Sequence, residues 1–552
     1  MFGTDFSHIA KTGADVAAAL VRKLRHRFDV VWSHRGHAPP RFRRGPVCVL
    51  AVLFVLSVAG VSAGAGDQPQ WGQRHSRNMV SAERGLPVDC DPQTGRNIRW
   101  VADLGTSTYS TPVIARGRVL IGTNNGAPRD PRHKGDRAVL MCFEESSGRL
   151  VWQLVVPKLP ECPYLDCPGA GLTSSPAVEG DRVYLVNNRA EVMCLDLDGL
   201  ANGNDGPYQD ESRHAAPRGV EPAPTGALDG DILWVTDLRR EVDVYPHDSA
   251  NISVLVQGDH LYVSTPNGVD HTHRHRPSPR APGLVVLDKH TGRIVAQDAT
   301  GIGARVFHGT FSSASFGVAA GRPLVFHGGG DGVVYAFEAL PAATPAPLRP
   351  ASLKLAWSFD CDPAAPKENI SQYQGNRRTS PSSIVGMPVF HGDRIYVAAG
   401  GDPWHGKREC WLFCLDATGA GDVTRTAAVW TYPLERHCIS TPSVTEDGLV
   451  FIADMGRMLH AVDGRTGRAL WTQELDGEVW GSTLVADGKV YVGTHRGTLW
   501  VLRAGRAKEV LGSTNLGRPI HTTPVAANGV LYVATMNRLY ALAAAPGDSK
   551  RP

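Results

Sequence analysis

Residues 271–275 read His-Thr-His-Arg-His, which sets three imidazoles at alternate positions. In an extended segment His271, His273 and His275 fall on one side, the arrangement of a Zn²⁺ or Cu²⁺ trio. Arg274 and Arg276 lie among them in a proline-rich loop and their charge opposes a cation, so the segment reads as solvated loop histidines. The stretch DLDGLANGNDG at 196–206 is rich in oxygen ligands for Ca²⁺ but lacks the residue order of an EF-hand, and reads as a polar loop insertion. No Gly-x-Ser-x-Gly, His-Glu-x-x-His or Gly-x-x-x-x-Gly-Lys-Ser/Thr pattern occurs. Nothing in the motifs demands an enzyme.

A second polar set emerges only once the chain is divided into its repeats. Each unit opens on a Ser/Thr-rich strand: YSTPVI at 109–114, TSSPAV at 173–178, ISTPSV at 439–444, HTTPVA at 521–526. A Gly/Asp turn leads into a second strand: GDRVYLV at 180–186, GDHLYVS at 258–264, GDRIYVA at 392–398, DGKVYVG at 487–493, NGVLYVA at 528–534. A third strand ends in a small residue and an acid, followed by a turn glycine and a fourth strand that often holds tryptophan. AVDGRTGRALW at 461–471 is the clearest copy. Asp463 accepts turn amides there, Gly467 supplies positive φ, and Trp471 lays its ring over the next unit. Trp152 plays the tryptophan part after Cys142, Asp288 and Gly292 form the turn before Ala296, and Trp357 and Trp430 follow after insertions.

Units begin near 109, 173, 252, 310, 383, 439, 480 and 521, about 40–80 residues apart, which is the signature of propeller blades. The last unit lacks a fourth strand, and NIRWVADLG at 97–105 is a fourth strand with no unit before it. The expected fold is all-β: an eight-bladed propeller of four-stranded antiparallel blades over 71–543, closed by that N-terminal strand. Residues 544–552 form a tail. In a propeller the four-to-one and two-to-three links share one face. The first kind carries His247, His308, His437 and His521; the second carries Asn267, Asp270, Asp331, Asp402 and His405. These nine are the expected ligand set at the channel mouth, against the plainer reading that Asn and Asp shape the hairpins.

The first 65 residues carry a net charge of +6 in a chain of +3, so the body is near neutral and offers no footprint for nucleic acid. Residues 1–45 form a basic cytoplasmic n-region, and 46–66 an apolar run with a small-residue cleavage pattern, read as a signal peptide or membrane anchor. The propeller is expected outside the cytoplasm, in the periplasm or tethered to the membrane facing it. Of ten cysteines, Cys162 and Cys167 are spaced for a local disulfide, while Cys142, Cys194 and Cys414 fall at small core positions.

The tryptophan repeat resembles the docking repeats of the pyrroloquinoline quinone (PQQ) propellers, a superfamily that includes quinoprotein alcohol dehydrogenases and the BamB type of outer-membrane assembly protein. The resemblance covers about 71–543. VYPHDSANISVLV at 244–256, NGVDHTHRHRPSPRAPG at 267–283 and FHGGGDGVVYAFE at 326–338 are similar to exported bacterial PQQ-like repeat proteins. It implies a monomeric, non-catalytic binding or scaffold module for an envelope protein or polymer. The alternative it implies is a PQQ- and Ca²⁺-dependent dehydrogenase of an alcohol or sugar. No Cys-Cys pair and no match to the dehydrogenase calcium and base motifs occurs, so no cofactor is assigned.

Overall fold

The repeated strand pairs fold into eight antiparallel sheets arranged as propeller blades. The computed structural model describes residues 66–159, 165–342 and 349–544. The leader and most of the tail therefore lie outside the described residues, as does Cys162; its expected partner Cys167 is a half-buried free thiol. No helix among the described residues is long and apolar enough to cross a membrane.

Blade 1 runs Val113–Ala115, Arg118–Asn124, Arg137–Glu144, Leu150–Pro157 from the inside outward, and the later blades repeat the order. In blade 5 the inner strand is broken into Ser382–Ser383 and Val389–His391, both paired with Arg394–Gly401. Two blades gain a short parallel fifth strand, Ala351–Ser352 and Gly421–Asp422. The eighth sheet takes its outer strand, Ile98–Asp103, from the other end of the described chain, where Trp100 faces Ala541 of Arg538–Leu542.

Why the blades stand side by side follows from two residue types. At six of the eight junctions a hydroxyl at the entry of an inner strand accepts a backbone amide of the preceding blade. Thr111 N donates to Ser175 Oγ (2.9 Å), Ser253 N to Ser313 Oγ (2.8 Å), and Met387 N to Thr441 Oγ1 (3.0 Å). Thr441 N then donates to Ser482 Oγ (2.9 Å), Ser482 N to Thr523 Oγ1 (3.0 Å), and Thr523 N to Thr111 Oγ1 (3.2 Å). All are buried, so each hydroxyl satisfies an amide that the short inner strand leaves over. The Ser/Thr richness of the first strands is thus structural.

The outer layer is joined by tryptophan. Indole Nε1 donates to a turn carbonyl of the next blade at six junctions: Trp100 to Glu145, Trp152 to Leu197, Trp234 to Lys289, Trp357 to Ala417, Trp430 to Gly464 and Trp471 to Gly505, at 2.8–3.2 Å. Trp152 and Trp357 are wholly buried. Asp463 accepts the amides of Arg465 and Thr466 and pairs with Arg506 of the next blade, which with the turn bonds holds its carboxyl near 2. Asp288 caps its turn in the same way. Cys142, Cys194 and Cys414 are buried opposite Trp152, Trp234 and Trp430.

A further segment, 66–86, crosses the far halves of the inner strands. Gln68 bridges Ile114, Pro69 O accepts Val178 N, Ser76 O accepts Phe390 N, Asn78 bonds both polar groups of Val444, Ser81 N donates to Val485 O, and Glu83 takes the amides of Asn528 and Gly529. Arg77 is fully buried, with carbonyls of Trp71, Ser253, Val254 and Ala314 as acceptors; burial without a carboxylate lowers its pKa to about 9.

Gly467 meets two demands at once. Its φ is +70°, and a Cβ would lie 2.8 Å from the Trp430 ring. Gly488 has a similar φ of +66° with open space around it. Gly488→Ala is expected to cost about 1 kcal/mol from the backbone alone, and Gly467→Ala about 1–2 kcal/mol more because the indole must shift. Urea unfolding of the two variants measures the difference; equal losses would remove the docking contact from the account.

Candidate functional site at the channel mouth

The links that enter the inner strands and those that join strands two and three meet at one end of the channel. Three of them are stitched together by backbone hydrogen bonds. Gly268 N donates to Tyr245 O (2.9 Å) and Val269 N to His308 O (3.0 Å), with antiparallel bridges between Pro246 and Asn267 and between Gly268 and Gly309. A Cβ on Gly268 would lie 2.6 Å from His247 Cβ and 2.8 Å from His308 O. Asn267 serves this stitch: its Oδ1 accepts Tyr245 N (3.0 Å) and its Nδ2 donates to Ser278 O (3.2 Å). Asn267 thus acts as a strut between the two links.

The stitch brings His247 and His308 to a ring separation of 4.7 Å, and two more imidazoles join them. His405 stands 4.6 Å from His308, and His273 lies 4.8 Å from His247 and 4.1 Å from His405. His273 overturns the reading of its loop as solvated histidines. His271 and His275 are exposed and no alternate-position trio forms, whereas His273 turns inward at a φ of 58°. Asp270 makes this turn, its Oδ1 accepting Thr272 Oγ1 and the amides of Arg274 and His275; it too is a shaper of the loop.

His247 Nδ1 lies 2.7 Å from Val269 O, which can only accept, so this nitrogen carries the proton. His308 Nδ1 lies 3.0 Å from Asp402 Oδ2. Asp402 is buried and orients that ring, while its Oδ1 holds the amides of Trp404 and His405. Asp248, at a φ of 61°, places Oδ2 3.7 Å from Nε2 of both His247 and His308. Burial and the neighbouring imidazoles push His247 down to about 3 and His405 to about 4. Burial also opposes charge on His308, but Asp402 and Asp248 outweigh it and hold that ring above the usual imidazole value.

The other expected residues lie apart. Asp331 binds Arg305 Nε (3.0 Å) and Tyr335 Oη (2.7 Å), and burial raises its carboxyl. His437 Nε2 donates to Lys407 O at 2.7 Å. His521 stacks on Trp480 at 4.7 Å and 13°, its Nε2 2.8 Å from His495 Nδ1. Yet a chain of rings runs from the imidazole cluster to His521. Trp404 stands 5.6 Å from His308 and 6.3 Å from Trp480, and Tyr109 stands 5.4 Å from His521. Trp404 is 37% exposed, so part of this belt faces solvent. The sequence reading does not single out Asp248 or Trp480; Asp248 has a legible signal in its place beside His247.

Ca²⁺ does not fit these residues. Ca²⁺ takes oxygen ligands, and the converging donors here are imidazole nitrogens. Asp270, Asp331 and Asp402 are each committed to loop amides, Arg305 or His308.

Comparison with known proteins agrees with the fold. Residues 74–201 and 419–510 match a family model described as outer membrane protein assembly factor BamB. A quinohemoprotein alcohol dehydrogenase of Comamonas testosteroni is 34% identical over 111 residues, 17% of this chain and 15% of that protein, so the match spans a small part of the relative. The crystal structure of a quinohemoprotein alcohol dehydrogenase of the same organism superposes with a TM-score of 0.54 at 13% identity, over 89% of this chain and 82% of that one. A europium-containing methanol dehydrogenase gives 0.53 at 12%, over 85% and 89%. BamB from Moraxella catarrhalis gives 0.47 at 14%, over 80% and 96%.

His521 is pushed down to about 3 by burial and by His495, against 6.5 unperturbed. The unfolded chain therefore takes up a proton below about pH 6.5 that the folded chain refuses until about pH 3. Stability is full above that window and falls as the pH drops through it, by about 1.4 kcal/mol per pH unit for this group. Between pH 6.5 and 4.5, His521→Phe is expected to lose about 2 kcal/mol less than the parent in urea unfolding; equal losses would contradict a neutral His521. On fold and repeat together, the chain is an eight-bladed β-propeller that matches the BamB-type PQQ-like repeat model over two stretches and shares its architecture with the quinoprotein alcohol dehydrogenases.

Proposed function

We propose that the chain is a non-catalytic binding propeller of the cell envelope, working outside the cytoplasm and holding a protein or envelope polymer against its channel mouth. The observation that carries this reading is the continuous belt of rings from His247 through Trp404 and Trp480 to His521 and Tyr109. Rigid aromatic faces, partly exposed and set in loops on a stiff ring, offer contact area at little entropic cost. The BamB-type match supports a recruiting role, and the Arg-flanked apolar run at 46–66 supports export.

A second reading, oxidation of an alcohol or sugar with PQQ and Ca²⁺, draws on the 34% identity to a quinohemoprotein alcohol dehydrogenase. The imidazole donors at the mouth oppose its Ca²⁺. The two separate in one titration of the purified chain with PQQ and Ca²⁺. The binding reading expects no stoichiometric quinone spectrum and no dye-linked oxidation of alcohols or sugars. One bound quinone with turnover would overturn it.

A further inference from the structure

The imidazole cluster has a feature that partner recognition does not use. His247 and His308 are each 1% exposed, and the Nε2 of each has no hydrogen-bond partner. Buried polar atoms are normally paired, and two unpaired ring nitrogens aimed at one point ask for a shared occupant. Their Nδ1 atoms are already engaged, one by the Val269 carbonyl and one by the Asp402 carboxylate. That is the outer-shell arrangement that fixes a metal-binding histidine and turns its other nitrogen toward the ion.

We propose that His247, His308, Asp248 and His273 form a mononuclear site for a zinc-class divalent transition metal ion at the channel mouth. The inference goes beyond the binding role above and stands or falls separately from it.

The distances suit such an ion. Four ligands bonded tetrahedrally at roughly 2.1 Å stand roughly 3.4 Å from one another. Asp248 Oδ2 is 3.7 Å from both Nε2 atoms, so small side-chain shifts close the site. His273 offers a third imidazole nitrogen, with the ligand atoms of His247, His273 and His308 all within 4.8 Å of one another. Asp248 and His273 both hold left-handed backbone, φ 61° and 58°, a strained conformation for residues other than glycine. The donor set of imidazoles and one carboxylate suits zinc-class ions, and is too rich in nitrogen for Ca²⁺ or Mg²⁺. The arginines of the His-Thr-His-Arg-His loop do not block it: Arg274 is exposed, and Arg276 reaches Ser371 Oγ at 3.2 Å. The other described cluster of this kind, Asp130, His133 and Asp229, already holds the Arg132 guanidinium against both carboxylates.

The test uses the purified full chain, stripped with a chelator and titrated with Co²⁺. One equivalent is expected to bind with the intense visible bands of four-coordinate Co²⁺ and to be displaced by Zn²⁺. His247→Gln and His308→Gln are each expected to weaken binding at least 100-fold, while His290→Gln, on an exposed turn, leaves it unchanged. Thermal melts report whether each variant folds. X-ray absorption at the zinc edge of the loaded parent chain needs no variant and is expected to show imidazole scattering from at least two rings. Absence of a bound equivalent, an all-oxygen coordination shell, or binding indifferent to both substitutions would overturn the site.

Discussion

A hydroxyl that spans two blades is the contact on which the rest of the structure depends. The inner strands are short, some of three residues or fewer, and cannot satisfy their own amides within a sheet. A hydroxyl at six of the strand entries supplies the missing acceptor to a neighbour, and the Thr523–Thr111 bond joins the last blade to the first. Removing one such hydroxyl leaves a buried N–H without water or partner, a cost of about 1–3 kcal/mol. The same constraint keeps the inner strands narrow and polar at the channel while the apolar residues pack between blades. Tryptophan secures the outer rim, and segment 66–86, with Arg77 at its centre, secures the far ends of the inner strands.

That stiffness is what lets the mouth hold groups in unfavourable states. His247 and His521 remain neutral and desolvated, and Asp248 and His273 remain in left-handed backbone. Each would relax if its loop could move. The stitch through Gly268 and Asn267 prevents this by tying the blade 3 hairpin to the entries of blades 3 and 4. The geometry of this face is therefore a property of the ring, not of any one loop: the imidazoles come from blades 3, 4 and 5, and the junctions fix their spacing.

Much of this was legible in the residues. The eight units, the Trp152, Trp430 and Trp471 contacts and the turn role of Asp463 and Gly467 follow from local spacing, because a hairpin and its docking tryptophan lie within one repeat. The entries His247 and His308 were legible for the same reason. Trp234 was not, since a long insertion separates it from Cys194, nor was the work of Arg77, whose partners other than Trp71 lie some 180 to 240 positions away. His273 was misread because its neighbours in sequence are arginines while its neighbours in space are histidines. Asp331, Asp402 and Asn267 were legible as link residues but their partners were not: sequence shows that an acid or amide stands in a link, not that an arginine, an imidazole or an amide bonds to it.

Anomalous diffraction from a crystal of the chain grown with Zn²⁺ and PQQ together tests the account of the mouth most directly. It predicts one strong zinc-edge peak within bonding distance of His247 Nε2 and His308 Nε2, and no planar density in the channel. A quinone stacked in the channel beside an oxygen-bound cation, with no zinc between the two histidines, would contradict it.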